Sequence, residues 1–124
     1  MAKLLDLQTK SDARGSLTVI DDIAAALPFS VKRVFYIYDV DSSVRGGHRH
    51  KETYQAAICL NGSCVVFNDD GEVESEFVLD APSKCLILDP KDWHQMRSFS
   101  QGAVFLVFAS ESYDPDDYIF EPYR

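Results

Sequence analysis

Most of the side chains with chemistry to offer lie in one short run, Arg45-Gly46-Gly47-His48-Arg49-His50-Lys51. Two histidines at i and i+2 of an extended strand point to the same side of a sheet. Imidazole gains and loses protons near neutral pH, so such a pair suits proton transfer to and from a bound substrate. The remaining histidine of the chain is His94, in Asp89-Pro90-Lys91-Asp92-Trp93-His94. Three imidazoles can also hold zinc. The residue types therefore leave two chemistries open, metal-free acid–base catalysis and metal-assisted catalysis. Arg45 and Lys51 flank the pair as ordinary solvated charges or as grips for a pyrophosphate. Arg33 and Arg49 add local cations, with Arg14 and Arg97 more distant in sequence. Trp93 reads equally as a core residue or as a stacking surface for a base or sugar. Tyr36, taken alone, reads as a packed core aromatic.

Strands must position these groups. A turn at Asp12 to Gly15 precedes the alternation Leu17, Val19. Asp21 or Asp22 can cap a short helix through Ala26, which Pro28 ends. From Val31 the chain is strand-like: VKRVFYIYDV puts Tyr36 and Tyr38 on one face, Phe35 and Ile37 on the other. YQAAICL and SCVVFN, joined by Asn61-Gly62, read as a tight hairpin. Asp70-Gly71 marks a second turn before EVESEFVLD, and KCLILD and GAVFLVFAS are two further apolar strands. Short strands at regular spacing with such turns predict an all-β sandwich or barrel, a single domain over residues 1–124.

Composition narrows the partners. Apolar residues at 46% are enough for a packed core, and no apolar run approaches the roughly 20 residues that span a bilayer. The start MAKLLDLQTK shows no signal-peptide core, so a cytoplasmic protein is expected. A net charge of −8 opposes nucleic-acid binding, which needs many phosphates neutralised. A single nucleotide needs only two or three local cations and is not opposed. Cys59, Cys64 and Cys85 lack the spacing of a disulfide framework or zinc cluster and read as small buried residues. The acidic stretch Asp114 to Asp117 reads as a solvated face.

The spacing resembles the two cupin motifs. In the first, a glycine precedes HxH, an acidic ligand follows five residues later and a glycine seven beyond it; here stand His48, His50, Gln55 and Gly62. His94 matches the histidine of the second motif. Metal-binding cupins use three histidines and a glutamate, and Gln55 replaces that glutamate. A neutral carbonyl binds cations weakly, which favours metal-free acid–base work. The combination RVFYIYDV, RGGHRHKE, LDPKDWHQM and YDPDDYI resembles the sugar 3,4-ketoisomerases, the WxcM-like cupins, over roughly Asp12 to Ile119.

That resemblance implies a cupin jelly roll and conversion of dTDP-4-keto-6-deoxy-D-glucose to a 3-keto isomer. It implies no cofactor and no metal, His48, His50 and Tyr36 as catalytic residues, and a homodimer exchanging an N-terminal strand near Gly15 to Ile20. Substrate contacts are expected from Arg14, Arg45, Lys51, Gln55, Trp93 and His94. Ser16 is smaller than the ligand-facing side chain expected at its place, which leaves product stereochemistry open. The residues also admit a metal-dependent cupin enzyme, a nucleotide-sugar epimerase on the same fold, or a non-catalytic nucleotide-sugar-binding module.

Overall fold

The computed structural model describes residues 2–124. The chain runs β1 (Lys3–Asp6), β2 (Gln8–Asp12), β3 (Gly15–Val19), a helical turn α1 (Ile23–Ala26), β4 (Arg33–Ile37) and β5 (Arg45–His50). There follow β6 (Gln55–Asn61), β7 (Cys64–Asp69), β8 (Glu74–Leu79), β9 (Lys84–Leu88), β10 (Trp93–Arg97) and β11 (Val104–Ala109). A 3₁₀ turn, Pro115–Asp117, leads into the short β12, Tyr118–Ile119.

Two five-stranded antiparallel sheets, ordered β1-β9-β6-β11-β4 and β12-β5-β10-β7-β8, pack face to face in the all-β cupin arrangement. Between them lie Ala57, Cys59, Val66, Leu86, Met96 and Phe105, drawn from both sheets. Each large apolar side chain taken fully out of water contributes about 1.5–3 kcal/mol. The outer side of the first sheet is covered too. Ala56, Ile58, Cys85 and Ile87 pack there beneath Ile20, Leu27, Phe29 and Val31. Burial on both faces explains why β6 and β9 are continuously apolar rather than alternating. The three cysteines are free and buried, and burial pushes the Cys85 thiol up to about 11.

Two local readings need correction. Asn61-Gly62 does turn the chain, with Gly62 at φ +73°, but β6 and β7 belong to different sheets and do not pair. The turn is a corner between the layers, fastened where the Asn61 side chain donates to the Gly102 carbonyl at 2.8 Å. The true hairpin is β7–β8, whose turn is held by Asp70 Oδ1 accepting from the Glu72 and Val73 amides. The short helix is present, but Asp22 precedes it in a left-handed conformation (φ 54°) and its side chain caps nothing. The strands β1, β2, β10 and β12 were not legible: β2 is polar and wholly exposed, and β10 mixes polar residues into its run.

Candidate active site

Two strands bring the imidazoles together. His48 and His50 share a face of β5, and register pairing sets His94 of β10 directly opposite His48. Gly46 permits this approach. It has φ +82°, and a Cβ there would lie 3.0 Å from the His94 carbonyl oxygen and 3.1 Å from Met96 Sδ. A side chain at Gly46 would thus be strained and would push β5 off β10. The ring centroids of His48 lie 5.0 Å from those of both His50 and His94. One ring nitrogen from each of the three histidines falls within 4.8 Å of the others.

The hydrogen bonds orient two of these rings. His94 Nδ1 lies 3.0 Å from the Asp92 carbonyl, which can only accept, so Nδ1 carries the proton and Nε2 is bare. Asp92 is itself fully buried, accepting from the Asn68 side chain at 3.0 Å and the Asp89 amide at 2.7 Å. His50 Nδ1 lies 2.8 Å from Asp117 Oδ2, and His50 Nε2 is buried with no protein hydrogen-bond partner. Burial, and then the neighbouring His94, push His48 down to about 4; burial does the same to His94. His50 is also lowered by burial, against the opposing pull of Asp117. All three rings are therefore neutral at pH 7.

His48, His94, Gln55, Arg45 and Tyr118 line a cavity of about 180 Å³ between the sheets. It shares Arg45, His48 and Tyr118 with an adjoining groove of about 520 Å³, walled by Tyr113 and Phe120. The C-terminal segment builds that wall. Pairing of β12 with β5 sets the Tyr118 ring 4.7 Å from both His48 and His50. Beyond it, the Phe120 carbonyl accepts from Trp93 Nε1 at 3.2 Å, the Tyr123 hydroxyl donates to the Lys91 carbonyl at 2.6 Å, and Arg124 pairs with Asp69 at 2.9 Å.

The expected site residues divide accordingly. His48, His50, His94, Gln55 and Arg45 come together. Tyr36 does not: strand alternation turns Phe35 and Ile37 to the cavity and leaves Tyr36 on the outer face, 62% exposed and stacked on Tyr38. Trp93 is a packing residue against Phe67, because neighbouring His94 takes the inward direction on β10. Lys51 follows β5 with its side chain in solvent and lines neither recess. Arg14 sits at the tip of the β2–β3 hairpin, 90% exposed and paired with Asp12 at 2.7 Å. The sequence reading missed Tyr118 and Asp117, placing the latter on a solvated face. The only local signal was Asp114-Pro115, a cap followed by proline, which marks the start of a helical turn.

The FdtA family profile, described as "WxcM-like, C-terminal", matches residues 1–124. The chain belongs to this family. Among FdtA relatives, the TDP-4-oxo-6-deoxy-alpha-D-glucose-3,4-oxoisomerase of Aneurinibacillus thermoaerophilus is 44% identical over 118 residues, 94% of this chain and 84% of its own. The QdtA 3,4-ketoisomerase of Thermoanaerobacterium thermosaccharolyticum has been solved as a histidine-to-asparagine variant in complex with TDP-4-keto-6-deoxyglucose. It superposes with a TM-score of 0.91 at 39% identity, over 97% of this chain and 87% of that one. The WlaRB TDP-quinovose 3,4-ketoisomerase of Campylobacter jejuni gives 0.90 at 38% identity, over 97% and 92%.

The three imidazoles of this FdtA member could also hold a divalent ion, which would supply Lewis-acid polarisation of a ketone. Gln55, buried beside them, lacks the negative charge of the glutamate that completes cupin metal sites.

Proposed function

We propose that this chain is a cytoplasmic sugar 3,4-ketoisomerase converting dTDP-4-keto-6-deoxy-D-glucose to a dTDP-3-keto-6-deoxyhexose. The observation that carries the reading is the neutral His48–His50 pair: His48 lines a cavity that shares residues with an aromatic groove, and His50 is buried directly against it, ring centroids 5.0 Å apart. The reaction moves a carbonyl from C4 to C3 with no change in overall oxidation state. The C4 ketone acidifies the C3 proton. Its removal gives an enediolate, and protonation at C4 with proton exchange between the two oxygens completes the isomerisation. His50, backed by a carboxylate that stabilises its imidazolium, takes the carbon-bound proton. His48, facing the cavity without such a partner, relays the proton between oxygens. A positioned acid or base contributes about 10²–10⁴-fold. Gln55 and His94 orient the sugar, and Arg45, at the junction of cavity and groove, holds the diphosphate. Acid–base chemistry of this kind needs no metal. Tyr118 takes the place at the imidazoles that Tyr36 does not occupy.

The partner is a second copy of the chain. The β2–β3 hairpin forms a sheet of its own, with Leu17 59% exposed, and β4 is an uncovered edge strand bearing Val34 and Tyr36. Exposed edges of this kind favour pairing with another chain. In an exchanged dimer the hairpin tip carries Arg14 toward the partner's site, which accounts for a cation so far from its own cavity. A monomeric mass in sedimentation at micromolar concentration would rule this assembly out.

The activity is tested by incubating the protein with dTDP-4-keto-6-deoxyglucose in heavy water and following the sugar by NMR. A 3-keto product carrying deuterium at C4 is expected. Exchange elsewhere with the ketone left at C4 would indicate an epimerase, and binding without exchange a carrier module.

A further inference from the structure

We infer that Asp117 is a positioning residue for the reaction: its carboxylate holds the proton of His50 on Nδ1 and so leaves Nε2 as the bare nitrogen free to accept a proton. The kinetic part of this inference rests on the ketoisomerase reading; the tautomer does not.

Asp117 lies 67 residues from His50 in sequence and reaches it through a stiff turn. Asp114 caps that turn by accepting from the Asp116 amide at 3.0 Å, Pro115 starts it, and the Asp117 amide closes it on the Asp114 carbonyl at 3.1 Å. The Asp117 carbonyl accepts from the Lys51 amide at 2.9 Å, which locks the turn onto the end of β5. The carboxylate is then shared out completely. Oδ1 accepts from the Glu52 amide at 2.8 Å, and Oδ2 accepts from Thr53 Oγ1 and meets His50 Nδ1 at 2.8 Å. Burial raises this carboxyl, but the hydrogen bonds from Thr53, Glu52 and His50 outweigh it and leave it below its ordinary value. It is therefore ionised at neutral pH and has no proton to give. His50 Nδ1 must donate, and the bare Nε2 is the buried nitrogen without a protein partner. An unsatisfied buried acceptor costs free energy until a donor arrives. The same lone pair is the one available to take the C3 proton.

The same contacts say what asparagine would do at this position. The Glu52 amide requires an acceptor, so the asparagine oxygen takes the Oδ1 place and its NH₂ group takes the Oδ2 place. That NH₂ can only donate to His50 Nδ1. The ring proton is then driven to Nε2, the nitrogen that must accept.

The test is long-range ¹H–¹⁵N NMR of the imidazoles in the ligand-free protein, with His50→Asn used to assign the signals. The wild type should show a protonated Nδ1 and a bare Nε2 on His50, and Asp117→Asn the reverse. In the same preparation kcat should fall on the order of 10²–10⁴-fold, the cost of a histidine base held in the wrong tautomer. The affinity for TDP should stay within about twofold, since neither residue is placed against the nucleotide. An Nε2–H tautomer in the wild type overturns the inference by itself, even if the variant fails to fold. So does a loss of kcat in Asp117→Asn with the tautomer unchanged, which would mark a merely structural role. So does wild-type kcat in a variant whose tautomer has switched. If the wild type shows the expected tautomer but leaves the sugar untouched, the proposed function fails and the orientation of His50 stands.

Discussion

The depressed histidines make a quantitative prediction about acid. In the folded protein His48 lies at about 4, where a solvated imidazole lies at 6.5. At pH 5.5 a group at 4 is about 97% neutral, whereas one at 6.5 is about 9% neutral. Lowering the pH from 7.5 to 5.5 should therefore leave kcat/KM nearly unchanged so far as His48 is concerned; an ordinary imidazole would lose about tenfold. His94, also at about 4, adds no loss, and His50 is shifted in the same direction. The cause is burial between the sheets, which charges the imidazolium its hydration, reinforced at His48 by the neighbouring His94. The assay is the initial rate of 3-keto product formation by NMR at subsaturating substrate, at half-unit steps of pH. Aliquots returned to pH 7.5 should recover full activity, showing that the protein stayed folded. A tenfold fall centred near pH 6.5 would refute the reasoning, because an essential imidazole of the site would then be titrating as if in open water.

Other consequences can be checked independently. His48→Asn and His50→Asn should each lower kcat by about 10²–10⁴-fold while TDP binding survives; wild-type turnover in both would make the pair structural. Stability should also fall in acid. His48 and His94 have folded values below the unfolded one, so as pH drops from 6.5 toward 4 the unfolded chain binds protons first. Stability present above pH 6.5 is lost across that window, on the order of 2–3 kcal/mol per histidine by pH 4.5, and urea titrations at pH 7.5 and 4.5 measure it. Gly46→Ala should cost about 1–3 kcal/mol, from its left-handed backbone and the contact with the His94 carbonyl; an unchanged melting temperature would contradict that geometry. Chelation should leave turnover intact, and a loss restored by one specific divalent ion would put a metal at the three imidazoles.

Much of the fold and part of the site were legible because they depend on local periodicity. The i, i+2 spacing of His48 and His50 fixes a shared face on any strand, and the β-branched and aromatic runs separated by Gly, Asn and Asp turns require an all-β chain. The uncharged Gln55 likewise favoured metal-free proton transfer, and the net charge of −8 opposed nucleic acid without opposing a single nucleotide. Periodicity cannot say which face of a strand meets the core when both faces are apolar or aromatic. Taken alone Tyr36 read as a packed core aromatic, but Phe35 and Ile37 take the inward side of β4 and leave Tyr36 exposed on the outer face. Nor can a turn sequence say whether its strands pair, and Asn61-Gly62 joins two sheets instead of closing a hairpin. Asp117 and Tyr118 reach the histidines only because β12 pairs with β5 across more than sixty residues of intervening chain. A contact of that range leaves no mark in local sequence, since its free energy is gained only after both sheets have closed and brought the C-terminal segment against the site.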